Sequence, residues 1–387
     1  MRDPAIDSLR STLTIMVLTH HSAVGYTTFA ISGGEDYRGG TAPVVDEGAR
    51  WVVLDHAQNF NDVFFMSAMF FISGLFVWPS FEKSGVVPFI KARAVRLGLP
   101  FVFGTALIMP LAYYPAWRLA GGGAGYLDYW VSNLTEHGAT PGPLWFIWML
   151  LAFNLLIAGL SPLLRRGRSA TSHLLRTGQN RPWTTVLVLL IMLSGAYFPL
   201  LIVFGPDAWG PLPVAPFYGQ LSRVLLYACW FVFGVALGAA GLETTVFRRN
   251  GPIIRHGVAL FLGAIGFYLL MNFLPRILLA FDRLDYPQAR ALYDVLWVPS
   301  CVLSTLGFFA LFRKTIASQG PIMTAFTRAA YGVYIVHYGF VLWLQWAFLE
   351  VPLHAAVKFV LVFAGALMLS WLTVIGLLKL PGVQRAL

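Results

Sequence analysis

About ten apolar segments of roughly 20 residues follow one another along the chain, and this pattern restricts the possible folds more than any other feature. An α-helix of that length crosses the ~30 Å hydrocarbon core of a bilayer. The predicted spans are residues 6–31, 60–81, 97–117, 144–164, 184–204, 221–241, 257–275, 293–312, 329–349 and 355–378. We therefore predict an all-α polytopic membrane helical bundle, with one integral-membrane domain covering residues 1–387.

The scarcity of charge supports a membrane protein. Only 11% of the residues are charged and 58% are hydrophobic, whereas an ordinary soluble domain carries about 25% charge. A soluble chain of 387 residues with so few charges could not cover its own core, so lipid must be the solvent for much of its surface.

The basic residues concentrate in alternate loops, and this asymmetry predicts the orientation. They fall near both ends of the chain and in four loops, represented by Lys83, Arg166, Arg249 and Lys314, whereas most acidic residues fall in the other loops. Cytoplasmic loops carry an excess of Lys and Arg, so we predict that both termini are cytoplasmic. The same asymmetry accounts for the net charge of +10, and no nucleic-acid partner is needed to explain it.

The first predicted span carries an unusual set of ionisable residues, Asp7, Arg10, His20 and His21. Such residues are costly inside a membrane and often functional. Arg10 and His21 are eleven residues apart, which is close to three helical turns, so both are predicted on one face and about 16 Å apart. Taken singly, Arg10 could be an interfacial cation and His21 a helix–helix hydrogen-bonding residue. Asp7 could pair with Arg10, or act as an acid favoured in a first helical turn.

A second cluster, Lys91, Arg93 and Arg96, lies at the predicted cytoplasmic start of the third span. Arg93 and Arg96 are three residues apart and would share a helix face. Two guanidinium groups on one face suit a phosphate-rich ligand. Basic residues there also satisfy the positive-inside rule, and spacing alone does not decide between these interpretations.

Weaker signals lie elsewhere in the chain. Asp62 opens the predicted second span and is expected to cap its first turn, and His337 falls inside the ninth span. Segment 70–74 ends in Ser-Gly, a small-residue pair that is typical of close helix packing. The sequence contains no zinc-ligand spacing, no phosphate-binding loop and no serine nucleophile elbow, so we expect no metal site and no bound cofactor.

Taken together, these residues resemble the acyltransferase-3 superfamily of bacterial membrane acyltransferases. Segment 6–10 (Ile-Asp-Ser-Leu-Arg), followed by ten residues and His21, is similar to that family's first-helix arginine–histidine signature. Segment 93–96 (Arg-Ala-Val-Arg) is similar to its paired-arginine motif, and segments 71–74, 144–146 and 331–337 resemble weaker family patterns. The chain departs from the family at Ser11, where glycine is usual, and it lacks a clear match to the Ser-x-Glu element of some members.

The resemblance implies a ten-helix enzyme of the bacterial cytoplasmic (inner) membrane, similar to glucan succinyltransferases and O-acetyltransferases. Acyl-CoA, as acetyl-CoA or succinyl-CoA, would be the donor substrate, with Arg93 and Arg96 holding its phosphates. The acceptor would be a hydroxyl of an extracytoplasmic saccharide or glycolipid. His21 would act as general base or as an acyl-histidine relay, and Arg10 would bind the donor or stabilise developing charge.

A secondary transporter or flippase of a small anionic or saccharide substrate is the alternative function. Buried arginine and histidine residues also mark substrate and proton pathways in carriers. Many carriers show a two-fold internal repeat, and no such repeat is visible in this hydropathy pattern. A non-catalytic scaffold would leave the pairing of Arg10 and His21 on one helix face unexplained.

Overall fold

The computed structural model describes residues 3–123, 125–136, 138–177, 181–212 and 214–386, and it is almost entirely helical. The helices of the first half are α1 (Pro4–Val24), α2 (Val52–Leu75), α3 (Val77–Ser84), α4 (Val86–Arg93), α5 (Leu99–Phe103), α6 (Met109–Leu119), α7 (Tyr126–Thr135) and α8 (Trp145–Thr177). Those of the second half are α9 (Pro182–Phe204), α10 (Val224–Ala240), α11 (Pro252–Arg255), α12 (Gly257–Ala280), α13 (Tyr286–Thr315), α14 (Pro321–Ala347), α15 (Ala355–Leu377) and α16 (Val383–Ala386). Short 3₁₀ turns cover Gly142–Leu144, Leu221–Arg223 and Leu242–Thr244.

Eight helical segments among the described residues are long and apolar enough to cross a membrane. They are Val52–Ser84, Val86–Leu119, Gly142–Gly167, Pro182–Phe204, Leu221–Ala240, Gly257–Ala280, Tyr286–Thr315 and Ala355–Leu377. This finding confirms the prediction of an all-α, multi-pass membrane bundle. The predicted first and ninth spans are also helical, since α1 has 21 residues and α14 has 27. Neither belongs to the eight, because both carry ionisable and hydroxyl side chains at intervals along their length.

The predicted boundaries were wrong at the second span. Residues 52–59 form the first two turns of α2 instead of a loop, so Asp62 does not cap the first turn as expected. These turns carry four polar side chains, of which Gln58 and Asn59 line a cavity and Asp55 and His56 line a smaller pocket beside it, and that polarity resembles a loop in the sequence. The predicted loop 165–183 is likewise helical up to Thr177, where α8 ends.

The third span is not a regular α-helix. π-Helical segments at Ala94–Gly98 and Gly104–Ile108 separate α4, α5 and α6. Hydrogen bonds in a π segment run from residue i to i+5, and such segments occur frequently at functional sites. The rotation of about 100° per residue that placed Arg93 and Arg96 on one face therefore does not hold across this region.

The proline-rich loop between α9 and α10 contains the two strands of this structure's small sheet. β1 (Trp209–Pro211) pairs antiparallel with β2 (Tyr218–Gln220), and Gly210 lies opposite Gly219. Pro206, Pro211 and Pro216 lie in this loop, and proline favours such an extended path over a helix. The hairpin brings Trp209 and Gln220 to the rim of the bundle on the predicted extracytoplasmic side.

Close contact between α2 and α10 forms the centre of the bundle. A Cβ atom added to Gly74 would lie 2.2 Å from the carbonyl oxygen of Phe231, and one added to Gly234 would lie 2.2 Å from that of Phe71. Only glycine allows the two backbones to approach so closely, as expected from the small-residue pair. Helices α1, α8 and α13 surround this contact, and α14 packs between α1 and α15.

The end of the bundle that carries both termini is tied together by polar contacts. Arg313, at the end of α13 and only 2% exposed, pairs with Asp3, which caps α1, and with Glu243. Ser11 is fully buried and its hydroxyl group lies 2.8 Å from that of Thr327 on α14. The serine that departs from the family pattern therefore joins α1 to α14.

Candidate active site

A large cavity opens between the loops of the predicted extracytoplasmic side and extends into the bundle. Its volume is about 1170 Å³. Loop residues such as Pro43, Thr140 and Pro206 line the outer part, and the buried side chains of Val17, Phe65 and Trp297 line the part within the bundle. A concave pocket with a few convergent polar groups is the usual location of a binding or active site.

His20 and His21 lie side by side on the last turn of α1 and both line this cavity. Their ring centroids are 5.2 Å apart, and the rings are nearly perpendicular. Both histidines are half-buried, so each has one side against protein and another towards the cavity. The structure thus brings His21, predicted as the general base, to a polar cavity with access from the predicted extracytoplasmic side.

Behind His21 lies His337 of α14, with 5.4 Å between the ring centroids. Nδ1 of His337 is 2.7 Å from the carbonyl oxygen of Tyr334. A carbonyl oxygen only accepts hydrogen bonds, so Nδ1 must carry a proton and donate it. In a neutral ring Nε2 is then an acceptor, and this atom is buried without a hydrogen-bond partner among the described residues. The structure therefore presents a histidine of fixed tautomer beside His21, a pairing that sequence analysis did not find.

On the other side of the histidine pair, His20 faces polar groups of α2. Its Nε2 atom is 3.3 Å from the side-chain nitrogen of Gln58, and its ring stacks on Phe65 with 5.1 Å between centroids. Asp62 lies one helical turn beyond Gln58 on the same face. The two histidines therefore have different surroundings: His20 contacts α2, whereas His21 contacts α14.

The predicted span residue Asp62 forms an ion pair that links α2 to the start of α10. Nη2 of Arg223 is 2.7 Å from Oδ2 of Asp62, and Nη1 donates a hydrogen bond of 3.2 Å to the Asp62 carbonyl oxygen. The guanidinium group lies 4.7 Å from the centre of the Trp297 ring. Sequence analysis missed Arg223, although an arginine at the outer edge of an apolar span, away from the basic loops, was a visible signal.

Arg10 lies away from this cavity. Its Nη2 atom pairs with Oδ1 of Asp7 at 2.9 Å, as one of the two sequence interpretations of Asp7 expected. The lining of the cavity reaches Val17 on α1 and does not include Arg10. Fully buried Leu13 lies between them, and Val302 and Leu306 of α13 are also fully buried in the core. The structure therefore does not bring Arg10 together with His21, although both lie on α1.

Arg93 and Arg96 lie near the lower half of α14. The guanidinium group of Arg93 is 4.9 Å from the centre of the Phe89 ring, and the carbonyl oxygen of Arg96 accepts a 2.6 Å hydrogen bond from the Tyr331 hydroxyl group. Within the described residues neither forms an ion pair with a carboxylate, so their charge is available to a ligand.

Helix α14 joins the two groups of candidate residues. Tyr331 contacts Arg96, and His337 contacts His21. His337 lies six positions after Tyr331, which corresponds to about 9 Å along the helix axis. The described residues contain no cluster of three or more His, Cys, Asp or Glu side chains arranged to hold a metal ion. His21 therefore lies between the cavity on the predicted extracytoplasmic side and the pair Arg93 and Arg96 at the opposite end of α14.

Comparisons with known proteins identify a family across nearly the whole length. A profile described as an acyltransferase domain, that of the acyltransferase-3 family, matches residues 3–375. No curated protein and no solved structure matches the chain significantly. The family assignment therefore depends on the domain match, which includes every residue predicted for the site.

Proposed function

The chain belongs to the acyltransferase-3 family of membrane acyltransferases, and from this premise we propose which groups it transfers and how. The donor is acetyl-CoA or succinyl-CoA in the cytoplasm, and the acceptor is a hydroxyl group of an extracytoplasmic saccharide or glycolipid. The protein would lie in the bacterial inner membrane, with about ten spans and both termini in the cytoplasm. The observation that carries the proposal is the location of His21, at the inner end of a cavity that opens on the predicted extracytoplasmic side.

Donor binding is assigned to the opposite end of α14. Arg93 and Arg96 supply guanidinium groups without carboxylate partners among the described residues, and guanidinium groups bind phosphate oxygens in pairs. The acyl thioester would then reach towards His21 along α14, a distance of about 9 Å from the level of Tyr331 to that of His337. Arg10 lies about 16 Å along α1 from His21, so we assign it to donor binding and not to charge stabilisation at the reacting carbonyl.

His21 is proposed as the general base. Its ring nitrogen accepts the proton of the acceptor hydroxyl group while the hydroxyl oxygen attacks the thioester carbonyl carbon. The C–S bond then breaks, the acyl group stays on the acceptor oxygen, and the thiolate of CoA takes the proton from the imidazolium. In the alternative relay, a ring nitrogen of His21 attacks the thioester carbonyl carbon and CoA leaves as its thiolate. The acceptor hydroxyl oxygen then attacks the acyl-imidazole carbonyl carbon, the imidazole leaves, and the hydroxyl proton passes to the CoA thiolate.

His337 is proposed as the positioning residue for His21. Its Nε2 atom is an unpaired buried acceptor beside the His21 ring. An N–H group of His21 that donates to it would leave the other ring nitrogen free to act as base. A third group that orients the base is a general feature of such sites.

Transfer across a membrane tests the proposal directly. Purified protein is placed in vesicles with acyl-labelled acetyl-CoA or succinyl-CoA on the face of the termini and neutral glucan oligosaccharides on the other face. We expect label on the oligosaccharide. Transport of the saccharide without acyl transfer from either donor would favour the carrier function instead.

A further inference from the structure

The ion pair between Asp62 and Arg223 lies inside the cavity, where it is accessible to a ligand. The Arg223 side chain is 6% exposed and the Asp62 side chain is 34% exposed. Arg223 contacts only Oδ2 and the main chain of Asp62, so Oδ1 accepts no hydrogen bond from the described residues. A carboxylate held in place by its counter-ion, with one oxygen facing a cavity, is a fixed acceptor for a ligand hydroxyl group.

Aromatic rings form two levels of the same cavity. Trp297 lies beside the ion pair, with its face on the Arg223 guanidinium group. Trp209 of β1 lies at the rim, half exposed, and meets Trp145 edge to face with 5.4 Å between centroids. Such rings offer flat apolar surfaces next to polar groups, and a sugar ring, with its C–H face and hydroxyl edge, matches both.

The charges that line the cavity balance one another. They are four aspartates and four arginines: Asp36, Asp62, Asp207, Asp294, Arg38, Arg223, Arg276 and Arg290. Three of the arginines pair with an aspartate of the same cavity, Arg38 with Asp36, Arg223 with Asp62, and Arg290 with Asp294. At these three arginines an anionic ligand would have to displace a carboxylate, whereas an uncharged polyol can bind both members of each pair. Arg276 and Asp207 form no ion pair among the described residues, and their two charges cancel.

We propose that this cavity is an oligosaccharide site that selects uncharged sugars, with one sugar ring on the Asp62–Arg223 pair and an outer ring against Trp209. The inference depends on the proposed function, because it names the class of acceptor that His21 would meet. A ring on this pair lies beside His20, which is in contact with His21. One of its hydroxyl groups then faces the proposed base.

Equilibrium binding tests this site without acyl transfer. Detergent-purified full-length protein is titrated with labelled neutral gluco-oligosaccharides and, separately, with oligogalacturonates of equal length. Asp62→Glu keeps the counter-charge of Arg223 but moves the free oxygen, and it should weaken neutral-sugar binding about ten- to hundredfold, the range for losing a hydrogen bond to a charged group. Trp209→Ala changes an exposed side chain and should weaken it about three- to tenfold.

Matched controls separate the site from general damage. Asp46→Glu alters another buried ion pair, with Lys358, and Trp183→Ala removes another exposed tryptophan; neither position lines the cavity. Both controls should bind neutral sugars like the wild type. The proposal is overturned if oligogalacturonates bind as tightly as neutral sugars, if neither binds at millimolar concentration, or if Asp62→Glu and Trp209→Ala bind normally. If the wild type transfers acyl groups and Asp62→Glu binds neutral sugars normally, this site is rejected and the proposed function is kept. If the wild type binds neutral sugars but transfers no acyl group, the proposed function alone is rejected.

Discussion

Two arginine sites, one at each end of the bundle, differ in how their charge is compensated. On the cavity side, Arg223 is buried and paired with a carboxylate from a distant helix. On the side of the termini, Arg93 rests on an aromatic ring, and Arg96 is exposed and contacted through its carbonyl oxygen. Paired charges shape a stable site for an uncharged ligand, whereas guanidinium groups without carboxylates attract an anionic one. The difference suits an enzyme whose acceptor and donor arrive from opposite sides.

The two ends also differ in access. The cavity extends from the outer loops to Val17 and the histidine pair, whereas Leu13 below it is fully buried in the core. The route that we propose for the donor is therefore closed in this structure, and we expect it to open at the third span, which two π segments interrupt. Binding of the donor would then stabilise a conformation that differs from this one.

The comparison between the two ends depends on the orientation of the protein in the membrane, and labelling from either side tests this orientation with an all-or-none result. Single cysteines introduced at Glu35 and Lys83, in a variant lacking Cys229 and Cys301, should react with a membrane-impermeant thiol reagent from opposite sides. Position 35 should react only from outside and position 83 only from the cytoplasm. Labelling of position 35 from the cytoplasm alone would contradict the proposed topology.

Among the graded effects, the largest loss of acyl transfer is expected at His21, where we propose that donor and acceptor meet. His21→Ala should reduce acyl transfer in vesicles about 10²–10⁴-fold, the usual cost of removing a general base. Donor binding should persist, because the arginines remain. His20→Ala should be far milder, since this ring points roughly 100° away on the same helix and contacts α2. His256→Ala, which removes a histidine packed on Trp183, is the control for expression. Near wild-type transfer by His21→Ala would show that His21 is structural.

A smaller effect should separate donor binding from topology at the other end. Arg93→Ala and Arg96→Ala should each raise the KM for acyl-CoA about ten- to hundredfold, because each removes hydrogen bonds to a charged group. Replacement by lysine should rescue only partly, since an ammonium group lacks the planar fork of guanidinium. Lys83→Ala removes a nearby exposed cation and should leave this KM unchanged. Equal donor kinetics in all correctly inserted variants would indicate that the arginines only set the topology.

The sequence predicted the helices well because each needs only a local apolar run. It predicted the cavity poorly because the cavity is made by residues far apart in the chain, as with Asp62 and Arg223, which are 161 residues apart. The polar first turns of α2 resembled a loop because Gln58 and Asn59 face that cavity and Asp55 and His56 face a smaller pocket. Helical geometry placed Arg10 and His21 on one face, but the depth of the cavity, which decides that His21 lines it and Arg10 does not, depends on how Leu13 packs.

The pairing of His21 with His337 is a further case that no local pattern reveals, and its expected effect is the smallest. His337→Leu removes the acceptor at Nε2 and should lower kcat about tenfold, with little change in either KM, because the base loses its orientation and the binding groups remain. His337→Gln places an amide oxygen close to the position of Nε2 and should recover most of that loss. Initial rates over a range of both substrates measure this split. A merely structural histidine would give similar losses for both variants, together with reduced thermal stability, and His21 would then act without a positioning partner.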